Sequence, residues 1–209
     1  MGARIGRRRL GIVVVGIAVL GELLTAGVLA MMWAHVGMAP ASGGGKASAG
    51  AGPSNMVQAV NAVDGRLRVI SRVQVGRVTA PQSGAVNIAQ AINTCAQSCD
   101  TLAVAFQVNI VDERVTPIAP QNAAVAVNAV CTGCHAVALA IQFNIGTSDP
   151  MHIPAEVDRM VAAMNRELAV IDASGLSVAQ AESGIRDVLG GFQDLAVYLT
   201  TSRNEAVAA

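Results

Sequence analysis

Aromatic side chains are nearly missing from this sequence of 209 residues: beyond Trp33 there are only Phe106, Phe143, Phe192 and Tyr198. Aromatics usually supply much of a core's buried area, so this core must be built from Val, Ile, Leu and Ala. Charge is equally scarce, at 13 % of residues with a formal net of zero. The four basic residues near the start, Arg4, Arg7, Arg8 and Arg9, leave ten basic against thirteen acidic residues from Ala41 onward. Such a balance excludes the basic stripe of a nucleic-acid binder. Histidine is represented three times, as His35, His135 and His152, each isolated in sequence. The H-E-x-x-H zinc motif, the G-x-S-x-G elbow and the phosphate-binding G-x-x-x-x-G-K-[ST] loop are all missing. Asp112 and Glu113 read as a solvated loop between repeats rather than an acid/base pair. No enzyme and no cofactor are expected.

What is present begins with a basic leader, 1–10, followed by an almost unbroken apolar run, 11–36. A run of this length reads as a spanning helix, and basic residues ahead of it stay in the cytoplasm. The expectation is a single-pass signal-anchor with the remainder outside the cytoplasm. Ala39-Pro40-Ala41 offers a small-residue cleavage site as the competing reading. Glu22, inside the run, is either protonated and tolerated or a contact with a partner helix. Residues 37–55 are rich in Gly, Ser and Ala and read as a flexible linker.

The distinctive stretch occurs twice, at 80–111 and 119–146. Pro81 and Gln82 match Pro120 and Gln121; Cys95 and Cys99 match Cys131 and Cys134; Gln107, Asn109 and Ile110 match Gln142, Asn144 and Ile145. In both copies large apolar residues alternate with Ala, Gln and Asn, from Leu102 to Ile110 and from Val137 to Ile145, which is the period of a strand. Shorter strands, 86–92 and 125–130, precede the cysteine pairs. Each copy therefore reads as a β-hairpin with two cysteines flanking its turn, Thr132-Gly133 supplying the tight turn in the second. Leu67 to Val78 reads as a strand ending a degenerate earlier repeat.

The cysteine pairs admit four chemistries. Structural disulfides lead, because the count is even and the expected compartment is oxidising; pairing within each repeat, Cys95–Cys99 and Cys131–Cys134, is expected, with pairing across the repeats the open alternative. A four-cysteine zinc site follows from the C-x2-C spacing, with C-x3-C departing slightly from it. Cys131-Thr132-Gly133-Cys134-His135 also matches the haem-attachment signature, with Met151 or His152 as further ligand, but Asp100 stands where the other repeat needs the histidine. Thiol–disulfide exchange is the fourth, and it lacks the usual helix N-terminus.

After Asp149 the periodicity becomes helical. Val157, Met160, Val161, Met164, Leu168 and Ile171 mark one face, and Ile185, Val188, Leu189, Phe192 and Leu195 another. Gly175 ends the first helix, and Ser177 with Gln180 spells a capping box for the second. The expected class is α+β: an N-terminal transmembrane helix, a β-hairpin repeat domain at 56–149, and a helical hairpin at 150–209.

The phrases APQSGAVNIAQAINTC and NAAVAVNAVCTGCHAVALAIQFNIG, with Ser174-Gly175-Leu176-Ser177 after them, resemble a repeat region of uncharacterised bacterial, chiefly actinobacterial, membrane proteins grouped with peptide zinc metalloproteases. The resemblance covers about residues 60–200, and the zinc-binding protease segment is missing here. It implies an exported, membrane-associated repeat domain. The function expected is a non-enzymatic structural or interaction module of the cell envelope that associates with the membrane, with itself, or with a membrane protease or transporter. The alternative is a redox or electron-transfer protein using haem on Cys131, Cys134 and His135 or a C-x-x-C dithiol.

Overall fold

The computed structural model describes residues 51–80, 84–115 and 118–208. The basic leader, the apolar run with Glu22, and the linker as far as residue 50 lie outside the described residues, as does the proposed anchor. Among the described residues no helix is long and apolar enough to cross a membrane.

Six strands come first: β1 (Ala51–Asn61), β2 (Leu67–Val78), β3 (Gly84–Asn93), β4 (Asp100–Asp112), β5 (Gln121–Asn128) and β6 (His135–Thr147). Two helices follow, α1 (Ala155–Ala173) and α2 (Val178–Ala208). The strands form two three-stranded sheets, β1-β3-β5 and β2-β4-β6, and every neighbouring pair is parallel. This overturns the β-hairpin reading. No strand pairs with its successor in the chain. The odd strand of each repeat lies in one sheet and the even strand in the other, so each repeat is one rung of a two-sheet solenoid.

The physical reason lies in the connections. β3 ends at Asn93 and β5 at Asn128, so six residues, 94–99 and 129–134, separate them from β4 and β6. A two-residue turn would bring strands to hydrogen-bonding distance, about 4.8 Å, whereas a six-residue arc spans the ~10 Å between facing sheets. Ser98 (φ 52°), Val130 (φ 57°) and Gly133 (φ 67°) take left-handed conformations that turn the chain across the gap. Within a sheet, paired strands are separated by a whole rung, which supplies the long crossover that parallel pairing needs.

The degenerate first repeat is real: β2 lies in register with β4, Leu67 opposite Asp100 and Val78 opposite Val111. Its partner β1 begins at Ala51, inside the stretch read as linker, and Asn55 there is fully buried.

Alternation along the strands now has a destination. The small residues, Val57, Ala59, Ala89, Ala91, Ala103, Ala105, Ala138 and Ala140, fill the space between the sheets. With so little bulk in that layer, asparagines of one sheet reach main-chain carbonyls of the other. Asn87 Nδ2 donates to Ala105 O (3.0 Å) and Ile141 O (3.1 Å), and Asn55 Nδ2 to Phe106 O (3.1 Å). Parallel register also stacks like on like. Asn55 Nδ2 donates to Asn87 Oδ1 (3.0 Å), Asn87 Nδ2 to Asn122 Oδ1 (2.8 Å), and Gln142 Nε2 to Gln107 Oε1 (2.6 Å). Such amide ladders form only when identical residues repeat in register.

Two acceptors in these ladders are buried without partners, Asn55 Oδ1 and Asn109 Oδ1. Asn55 is the lowest described member of its ladder. Asn109 faces Gly76 across the register, which offers no side chain. A larger residue cannot stand at Gly76, because a Cβ there would collide with the Pro53 ring.

The large apolar residues of the second sheet face the helices. Val69, Val73, Leu102, Val104, Phe106, Val108 and Ile110 form one core with Val157, Met164, Leu168, Ile171, Ile185, Val188 and Leu195. Phe192 of α2 sits against both Phe106 and Phe143, each ring centroid 5.1 Å away and nearly parallel. The helices run antiparallel, Ile171 lying against Gly184 and Met164 against Gly191. Gly175 (φ 53°) follows α1, and Ser177 N–H donates to Gln180 Oε1 (3.0 Å) while Gln180 N–H donates to Ser177 Oγ (3.4 Å), the expected capping box.

Helix α1 also closes the edge of β2. Val73 N–H donates to Asn165 Oδ1 (2.9 Å), Asn165 Nδ2 donates to Val73 O (2.9 Å), and Ser71 Oγ donates to Asp172 Oδ1 (2.8 Å). Side chains thus take the place of another strand, one way of preventing edge-to-edge aggregation. Burial pushes the Asp172 carboxyl above its ordinary pKa, and the bonds from Ser71 offset part of that rise.

Two consequences are measurable by denaturant unfolding. Phe192→Ala empties the space between two stacked rings and should cost about 3–5 kcal/mol. Asn165→Ala strips both partners from Val73 and should cost roughly 1–3 kcal/mol. A loss under ~0.5 kcal/mol in both would mean that the helices do not hold the sheet.

Candidate cysteine centre

The arcs stack as regularly as the strands. Thr94 N–H donates to Asn61 O (2.8 Å) and Ala129 N–H to Asn93 O (2.8 Å) at one end of each arc. Asp100 N–H donates to Arg66 O (3.0 Å) and His135 N–H to Cys99 O (3.2 Å) at the other. Between these ends, Ser98 N–H donates to Thr132 O and Thr132 N–H to Ala96 O, both 3.0 Å. Asparagine side chains hold the arc ends: Asn61 Nδ2 reaches Arg66 O (2.6 Å), Asn93 Nδ2 reaches His135 O (2.9 Å), and Asn128 Nδ2 reaches Cys134 O (3.1 Å). From the first arc, Asp64 Oδ1 accepts the N–H groups of Ala96 (2.8 Å) and Gln97 (2.9 Å). The sequence marks Asp64 only as part of a turn with Gly65. Its role depends on a neighbouring arc thirty-odd residues away.

This stacking brings all four cysteines of the chain together. Cys95 is disulfide-bonded to Cys99 and Cys131 to Cys134, leaving none free. Both disulfides lie within an arc, the pairing expected from the sequence. The two bridges also lie against each other. Cys95 Sγ stands 3.1 Å from Cys131 Sγ and 3.5 Å from Cys134 Sγ, while Cys99 Sγ stands 3.7 Å and 3.5 Å from the same two atoms. Cys99 N–H donates to Cys134 Sγ (3.2 Å), tying one arc's backbone to the other's sulfur. Cys95 and Cys99 are buried, and Cys131 and Cys134 are half-buried, so the cluster opens to solvent on one side.

The haem alternative named Cys131, Cys134 and His135. Here Cys131 and Cys134 are turned toward Cys95 and Cys99, while His135 is exposed at the start of β6. Met151 and His152 are exposed in the segment after β6. The histidine is therefore not grouped with the sulfurs, and the described residues offer one compact cluster made of cysteine alone.

Asp112 and Glu113, which the sequence places in a solvated loop, differ: Glu113 is exposed and Asp112 is not. Asp112 ends β4, is buried, and accepts hydrogen bonds from Arg114 Nε (2.9 Å) and Nη2 (2.6 Å). The Arg114 guanidinium holds its carboxyl down at about 2. A carboxylate so held is a structural anion and a poor proton donor at neutral pH.

Intact mass of the purified chain should fall by two hydrogens per disulfide relative to the reduced form. Fragmentation should assign Cys95 to Cys99 and Cys131 to Cys134, and a peptide joining Cys95 to Cys131 would contradict the structure. No family model, curated protein or solved structure matches this chain.

Proposed function

We propose that this chain is a membrane-anchored, extracytoplasmic module of the cell envelope that acts by binding rather than by catalysis. The observation that carries the reading is the outer face of the β1-β3-β5 sheet. Ala59, Ala89, Ala91, Ala124 and Ala126 of these strands point inward, so Met56, Val60, Val86, Ile92, Val125 and Val127 point the other way. Met56 is 43 % and Val60 39 % exposed, and the others named are half-buried. Gln58 Nε2 donates to Gln90 Oε1 (3.0 Å) across this face, an amide rung among the apolar groups, and Ser54 and Gln121 lie exposed at one end of it. Both helices pack on the opposite sheet. A broad apolar face on a rigid, stacked scaffold is the physical signature of a docking surface.

Two features support this location: the apolar run at 11–36 with its basic leader, and the disulfides, which persist in oxidising compartments. The partner is a membrane protein, such as a protease or transporter, or a second copy of the chain.

The test combines location with docking. The protein should sediment with membranes, and protease applied outside the cytoplasmic membrane should remove the folded domain. A photoreactive side chain at Val60 should form a discrete crosslinked adduct in cells, and Met56→Glu should abolish it without lowering the melting temperature. A protein that stays in the cytoplasm, or an adduct that survives the charge, overturns the reading.

A further inference from the structure

We propose that the four cysteines, once reduced, form a tetrathiolate site for a single zinc-class divalent cation that joins the second and third rungs. In a tetrahedral site with metal–sulfur bonds of about 2.3 Å, thiolates stand about 3.8 Å apart. The four cross-arc separations, 3.1, 3.5, 3.7 and 3.5 Å, fall close to that value before any ion is placed. All four sulfurs lie within 4.8 Å of one another.

The arcs have the form of metal-binding knuckles for reasons independent of the sulfurs. Each presents two cysteines from a turn, with left-handed Ser98 and Gly133 immediately before Cys99 and Cys134. Each is fixed at both ends by main-chain bonds to the neighbouring rung, so the ligands arrive preorganised. The Cα atoms of Cys95 and Cys99 are 6.4 Å apart and those of Cys131 and Cys134 5.9 Å. Within each pair, rotation about the Cα–Cβ bonds can part the sulfurs without moving the backbone. The Cys99 N–H aimed at Cys134 Sγ supplies the kind of outer-shell donor that steadies a metal-bound thiolate. Two half-buried cysteines leave an approach from solvent, while the two buried ones keep water from the ion.

The chemistry balances in two steps. Each disulfide takes two electrons and two protons from a dithiol reductant, which closes to its own disulfide, and four thiols result. The cation then forms four metal–sulfur bonds, and the four sulfur-bound protons pass to buffer, leaving a centre of net charge −2. Ligation requires each sulfur in its deprotonated form. Metal uptake and deprotonation are therefore one event. Disulfide and metal forms exclude each other, because both use the same electron pairs on the same four atoms.

The probe is cobalt(II), added to the full chain after reduction and transfer to metal-free buffer containing a phosphine. One ion per chain should bind with the intense red-region absorption and sulfur-to-metal charge transfer of a tetrahedral tetrathiolate. Zinc should displace it, and about four protons should be released per ion. The oxidised chain should take up none. Cys99→Ser and Cys131→Ser, one from each arc, should each weaken cobalt binding by more than the ~10–100-fold that outer-shell changes produce. Circular dichroism reports whether each variant keeps its strands. If neither does, the wild-type proton count decides alone: about four supports the site, and about two means that one pair binds unaided and overturns it. Failure of the reduced wild-type chain to bind at stoichiometric cobalt, or an octahedral spectrum, also overturns it.

Discussion

Parallel, in-register stacking is the constraint from which the rest of this molecule follows. Because Asn87 lies between Asn55 and Asn122, and Gln107 beside Gln142, each buried amide finds a like neighbour one rung away. Buried amides are tolerable only when hydrogen-bonded. Sliding one rung by a single residue would place Asn55 opposite Val86 or Ile88 and turn every large apolar side chain of that rung into the alanine layer. The alanines matter as much as the amides. A layer of Leu or Phe between the sheets would hold them too far apart for Asn87 to reach Ala105 and Ile141.

The two sheets consequently have different outer lives. The β2-β4-β6 sheet carries the long apolar side chains and is roofed by α1 and α2, with the scarce aromatics spent at one point, where Phe192 meets Phe106 and Phe143. The β1-β3-β5 sheet turns shorter apolar groups and the Gln58–Gln90 pair outward. One face is covered by the chain's own helices, and the other is left uncovered among the described residues. The edge of β2 is finished too, by Asn165 and Asp172 acting as a surrogate strand.

Stacking also creates the cysteine centre. An arc taken singly holds a disulfide between near neighbours, which closes a short loop and contributes modest entropy. Two arcs in register hold four sulfurs in contact, and that is a site. Asp64 and the three arc-closing asparagines are the frame that sets its dimensions.

The sequence alone determined much of the local structure. Alternation from Leu102 to Ile110 and from Val137 to Ile145 dictated strands with one large and one small face. Gly175 and the Ser177–Gln180 box dictated where α1 stops and α2 starts, while the close spacing of the cysteines favoured pairing within each arc and left pairing between repeats open until the tertiary structure placed the sulfurs. These features were legible because they depend on neighbours within about a turn or two of chain. Tertiary structure alone decided that β3 and β4 face each other from separate sheets instead of pairing, since alternation is the same in either arrangement. It also decided that β1 begins at Ala51, ahead of Met56: residues 51–55 have the composition of a linker, and only pairing with β3 makes them strand. The grouping of four sulfurs, and the reach of Asp64 to Ala96 and Gln97, depend on which rung lies above which. Local chemistry cannot encode that, because the contacts join residues a full repeat apart.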